Sequence, residues 1–208
     1  MKAVILVDIQ NDFCPGGALA VPAGDEVVAV ANALTTEAKK RGWPVIATQD
    51  WHPATHGSFA SQHPGCKPYD LGELGGLPQV MWPDHCVQGT LGASFHPRLA
   101  LERVDAVVVK GTDTAIDSYS GFFDNDHRKA TALHPKLQAL GADHLLVLGL
   151  ATDYCVRATC LDARELGYAV TLLEDGCRAV DLHPGDGARA LDELRAAGVE
   201  VARSAELL

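Results

Sequence analysis

The chain is expected to fold as an α/β protein: a Rossmann-like three-layer sandwich with a six-stranded, mostly parallel sheet and helices on both faces. Two observations carry this expectation. Short apolar, β-branched runs recur at wide spacing, at 3–7, 45–48, 106–109, 145–148, 169–173 and 199–201. Helical patterns lie between most of them, and each stops at a glycine, the residue that best accepts a left-handed cap. Strands that are apolar almost throughout, alternating with helices, belong in a parallel sheet covered on both sides. Ligands of such sheets bind beyond the strands' carboxyl ends.

In chain order, residues 3–7 open the sheet; the apolar stretch that includes them is too short for the hydrophobic region of a signal peptide. Residues 25–41 follow, with Val27, Val28, Ala31, Leu34 and Ala38 on one face and Gly42 at the stop. After the run at 45–48 the alternation breaks. Residues 51–98 are rich in Gly, Pro and His, hold five of the nine histidines, and read as a long irregular excursion over the sheet edge. Helical patterns then span 131–140 (Pro135 blurs its first turn), 155–166 and 187–197, stopping at Gly141, Gly167 and Gly198. One domain covering 1–208 is the simplest division.

Seventeen basic residues against twenty-seven acidic ones give a net charge of -10. That argues against nucleic acid or an anionic membrane surface as a partner, since both require basic patches. No apolar run approaches membrane-spanning length. The six cysteines show no C-x-x-C pair and no zinc-knuckle spacing, and with no export signal they read as reduced thiols in a cytoplasm.

Charged groups stand where the strands end: Asp8, Asp50, Lys110 and, just past the fourth run, Cys155. Packing explains such residues poorly. Cys155 falls in the first turn of a helix, where the dipole favours thiolate over thiol. Asp8 can accept its proton and Lys110 can stabilise the anion, so the three read as one protonic unit. The alternative is a sheet-edge ion pair beside an unrelated buried cysteine. In an extended segment Asp50 and His52 point the same way. With His85 returned by the excursion they would form an Asp/His/His set for one divalent ion, Zn, Fe or Mn. His56 and His63 are possible additional members of that set. Phe13, Trp51, Trp82, Tyr119, Phe122 and Phe123 belong to loops near these residues and suggest a flat, small ligand held by stacking. A satellite hydrophobic cluster would look the same.

Six motifs then fall in order along nearly the whole chain: Val7-Asp-Ile-Gln-Asn-Asp-Phe-Cys-Pro-Gly-Gly-Ala18, Thr48-Gln-Asp-Trp-His-Pro53 with His56-Gly-Ser-Phe59, Trp82-Pro-Asp-His-Cys-Val-Gln-Gly89, Lys110-Gly-Thr112, Asp117-Ser-Tyr-Ser-Gly-Phe122 and Gly149-Leu-Ala-Thr-Asp-Tyr-Cys-Val156. Together they closely resemble the nicotinamidases, which belong to the isochorismatase-like cysteine hydrolases. The resemblance implies hydrolysis of nicotinamide to nicotinate and ammonia through a thioester, activity on pyrazinamide, and a place in NAD salvage. It implies a catalytic triad of Asp8, Lys110 and Cys155 and a metal held by Asp50, His52 and His85. It implies an oxyanion hole from the backbone N–H groups of Ala151 and Cys155, with a cis peptide between Leu150 and Ala151. Ring contacts are implied for Phe13, Trp82 and Tyr119. Relatives differ over a further histidine, so His56 is either a ligand or the holder of a bound water. Another small-amide amidohydrolase of the same superfamily is the alternative function. Monomer and homodimer stay open.

Overall fold

The computed structural model describes residues 1–207. Its strands are β1 Lys2–Val7, β2 Val45–Asp50, β3 Leu71–Leu74, β4 Leu77–Val80, β5 Ala106–Lys110, β6 His144–Leu150, β7 Ala169–Arg178 and β8 Glu200–Ala202; the helices are α1 Val27–Arg41, α2 Leu133–Ala139, α3 Arg157–Glu165 and α4 Asp186–Ala196. Six strands form one sheet in the order β5-β2-β1-β6-β7-β8, and every pairing in it is parallel. β1 and β6 are buried almost end to end, as their unbroken apolar runs require.

From β1 the chain moves outward to β2 and β5, then crosses back to β6 and moves the other way. Right-handed crossovers in opposite directions put their helices on opposite faces of the sheet. The reversal between β1 and β6 is a topological switch point, which opens a crevice at the strands' carboxyl ends. Gly149 makes the β1–β6 approach possible. Its φ is 132°, and a Cβ there would lie 2.1 Å from the Val7 carbonyl oxygen.

The helix-ending glycines behave as expected: Gly42, Gly141, Gly167 and Gly198 all have positive φ. Boundaries differ by a residue or two. The helix expected from residue 25 begins with a tight 3₁₀ turn, Gly24–Glu26, before α1. α2 is shorter than 131–140, and Pro135 sits in its first turn, where a missing N–H costs nothing. β7 runs five residues past the expected 173. Its register against β6 jumps from Val147↔Leu172 to Gly149↔Cys177, so a bulge absorbs Glu174, Asp175 and Gly176 that read as a strand end. The excursion 51–98 is less irregular than expected: β3 and β4 form an antiparallel hairpin across Gly75-Gly76, both at positive φ. That Gly-Gly pair was the available signal. Among the described residues no helix is long and apolar enough to cross a membrane.

Candidate active site

The crevice gathers what the strands deliver. Asp50 and Lys110 are register partners at the ends of β2 and β5, and Asp8 directly follows β1. The buried Lys110 ammonium lies 2.6 Å from Asp50 Oδ1, 3.0 Å from Asp8 Oδ2 and 3.4 Å from Cys155 Sγ. It also donates to the Ser118 carbonyl at 2.8 Å. A buried cation survives only with such partners, since desolvation costs several kcal/mol per ion. Asp8 Oδ1 accepts the Thr48 hydroxyl at 2.6 Å, while Oδ2 faces the Lys110 ammonium. Asp8, Asp50 and Cys155 each bring one polar atom within 4.8 Å of the others, so the three share one crevice.

Burial alone would raise both carboxyls, but they separate. Lys110, with His52, overcomes burial at Asp50 and holds it well below the usual carboxylate range. At Asp8 burial prevails over Lys110, and the neighbouring Asp50 charge adds to it, so Asp8 is the more basic of the two. Lys110 is held far above its ordinary value because Asp50 and Asp8 outweigh its burial. Burial also pushes the Cys155 thiol well up, against the pull of Lys110. Cys155 sits in the first turn, a wide π-type turn over Thr152–Val156, where burial opposes the thiolate that the helix dipole favours.

Beside this unit, Asp50 Oδ2 faces His52 Nε2 at 3.4 Å and His85 Nε2 at 3.8 Å. Both rings are aimed by their other nitrogens. His52 Nδ1 lies 2.8 Å from the Gly111 carbonyl and His85 Nδ1 2.8 Å from the Pro83 carbonyl. A carbonyl only accepts, so each Nδ1 carries the hydrogen and each Nε2 offers its lone pair. Burial, with His52 adding to it, lowers His85 to about 4, which keeps that ring neutral. Gly111 has to be glycine, since a Cβ would lie 2.4 Å from His52 Cε1. Two imidazole nitrogens and a carboxylate oxygen converging in a buried space fit one divalent cation.

His56 packs on His52 with ring centroids 4.4 Å apart, yet its nitrogens are arranged differently. The Ser58 backbone N–H donates to His56 Nδ1 at 3.2 Å, which leaves the hydrogen on Nε2. That Nε2 is fully buried and has no partner. His63 turns away, its Nε2 lying 2.7 Å from the Gly57 carbonyl.

A cleft joins the two groups. Phe13, Trp82 and Tyr119 line it as expected, together with Asp50, His85, Ala151 and Cys155. The other three aromatics do not. Trp51 packs against the core, Phe122 stacks on Tyr168, and Phe123 stacks on His127. In their place stand Tyr154, Leu19, Val180 and Asp117, which the sequence reading missed. Tyr154 was legible as an aromatic next to Cys155, and it meets Trp82 edge-on at 4.9 Å. Gln10 was also missed. Its fully buried amide clamps the Asp50 backbone, accepting from the Asp50 N–H and donating to the Asp50 carbonyl, both at 2.8 Å. The Leu150–Ala151 peptide is cis. The Ala151 carbonyl takes the N–H groups of Tyr154 and Val156.

Comparison with known proteins agrees with this picture. The isochorismatase domain profile matches residues 2–206. The nicotinamidase of Escherichia coli (strain K12) is 56% identical over 197 residues, covering 95% of this chain and 92% of that protein. An Acinetobacter baumanii nicotinamidase/pyrazinamidase structure superposes with a TM-score of 0.94 at 41% identity, covering 100% of this chain and 98% of the other. The pyrazinamidase of Pyrococcus horikoshii in complex with zinc gives a TM-score of 0.80 at 37% identity, covering 97% and 98% respectively.

Proposed function

The chain belongs to the isochorismatase family, and from that membership and the cleft's geometry we propose an amide hydrolase that converts nicotinamide to nicotinate and ammonia. Pyrazinamide is a second substrate, as the names of two relatives suggest. The observation that carries the reading is the Cys155 sulfur 3.4 Å from Lys110, in a cleft that also presents Asp50 and His85.

Cys155 passes its proton to Asp8 Oδ2 as it attacks the amide carbon, and Lys110 offsets the charge that forms. The carbonyl electrons move onto oxygen, where the Ala151 and Cys155 N–H groups receive them; one such donor is typically worth about 2.7–4 kcal/mol. The C–N bond then breaks, Asp8 returns the proton to the leaving ammonia, and a thioester remains. A water deprotonated by Asp8 attacks that thioester, the C–S bond breaks, and nicotinate departs with the thiol restored. Phe13, Trp82, Tyr119 and Tyr154 hold the ring throughout and keep bulk water off the sulfur.

Asp50, His52 and His85 would hold one divalent ion, Zn, Fe or Mn. When bound, it supplies a Lewis acid that anchors and polarises the pyridine nitrogen. His56, whose Nδ1 accepts from the Ser58 N–H and whose Nε2 therefore carries the hydrogen, would hold a water at that site rather than bind the ion. Six free thiols suit a cytoplasmic location, and the product would feed NAD salvage.

The test is ammonia release from nicotinamide before and after metal stripping, with Zn, Fe and Mn restored separately. Activity lost on stripping and regained with one of the ions is expected. Full turnover by a stripped enzyme would remove the metal from the reading, and turnover after complete alkylation of Cys155 would remove the thioester.

A further inference from the structure

Outside the cleft, His127, Asp162 and Glu165 each bring one ligand atom within 4.8 Å of the other two. Asp162 and Glu165 lie three residues apart on α3 and so share a face. His127 comes from the loop before α2 and is held in place. Its backbone is left-handed, with φ 55°, and its ring stacks on Phe123 with centroids 4.8 Å apart and planes 16° apart.

His127 Nε2 is 3.2 Å from Asp162 Oδ1. Two ligands of a tetrahedral ion with bonds of about 2.0 Å stand about 3.3 Å apart, so the pair is spaced for a shared cation. A hydrogen bond alone would also fit that distance, but it leaves a second fact unexplained. The Asp162 side chain is nine-tenths buried, and its other oxygen, Oδ2, meets no donor. A buried carboxylate oxygen without a partner is costly and calls for an unseen water or ion. Burial pushes the Asp162 carboxyl up and Glu165 adds a like charge, against the pull of Ser120 and His127. A cation relieves both.

We propose that His127, Asp162 and Glu165 form a second divalent-cation site, suited by one imidazole and two carboxylates to a borderline ion such as Zn(II). Its position gives it a structural role. The loop that carries His127 also carries Asp117 and Tyr119 into the cleft, and α3 continues directly from the turn that carries Cys155. An ion here clips two walls of the cleft together from outside.

The experiment uses the enzyme with its cleft metal loaded, titrated with Zn(II) at neutral pH while bound metal is counted. Wild type should take up one equivalent more than His127→Gln, and Glu165→Gln should weaken that extra binding by at least about tenfold. Both variants should keep wild-type nicotinamide turnover when no zinc is added. Both replaced side chains are exposed, so the comparison does not depend on the buried Asp162→Asn folding. An equal zinc count in wild type and His127→Gln, or undiminished affinity in Glu165→Gln, would overturn the proposal.

Discussion

Cys155 and Cys160 lie on one continuous helical segment, both buried, and burial pushes both thiols well above their ordinary range. Their surroundings differ. Cys155 faces Lys110 and Asp8 and lines the cleft, at 6% exposure. Cys160, at 0%, lies in the hydrophobic core, its nearest charge influence another cysteine, Cys177. Neither burial nor helical placement separates the proposed nucleophile from Cys160; a neighbouring cation, a proton acceptor and an open side do.

The sharpest way to break that contrast is to remove each sulfur. Cys155→Ala should lower kcat/KM for nicotinamide by at least about four orders of magnitude, as losing a covalent nucleophile does. Cys160→Ala should leave kcat/KM within about twofold and lower unfolding stability by about 1 kcal/mol, the scale of a small core truncation. Comparable turnover losses in the two variants would erase the distinction.

Lys110→Met comes next, because it strands two buried carboxylates at once. Breaking a buried pair typically costs about 3–5 kcal/mol, so denaturant titration should show a large loss alongside a drop in kcat. A variant as stable as wild type would mean that Lys110 does not hold the charge of the site.

The histidines divide by what their ring nitrogens touch. His52→Ala and His85→Ala should each cut metal affinity by more than about tenfold, read as bound metal per chain. His63→Ala should not change it. His56→Ala should keep the metal while slowing turnover; loss of metal in that variant would make His56 a ligand.

The smallest effects are in pH. Asp8 must be ionised to accept a proton, and burial raises its pKa, so kcat/KM should fall on the acid side at a pH above the ordinary carboxylate value of about 3.9. Cys160 is also raised. Its contribution to stability is complete below the ordinary thiol range, near about pH 8.5, and is lost as pH rises toward the folded value. Cys160→Ala should therefore flatten the alkaline decline of the unfolding midpoint; an unchanged decline would show that another group causes it.

Much was legible because much was local. Apolar runs and capping glycines marked the strands and helices, and polar residues at strand ends marked Asp8, Asp50, Lys110 and Cys155, which the fold does bring together. The π-type turn at Cys155 and the bulge in β7 were not legible, since both depend on pairing with a neighbouring strand or turn. Alternation in β2 could have flagged Thr48, two residues before Asp50 and so on the same face.

The amino-acid order by itself determined the alternating elements and which residues carry charge to the sheet edge, because periodicity and capping act within a few residues. Only the tertiary structure decided that Tyr154, Leu19 and Val180 wall the cleft, that Gln10 braces Asp50 across forty positions, and that burial works against the Cys155 thiolate. Those outcomes rest on strand order and on how much water the crevice excludes. Both are sums over distant parts of the chain, and no short window contains them.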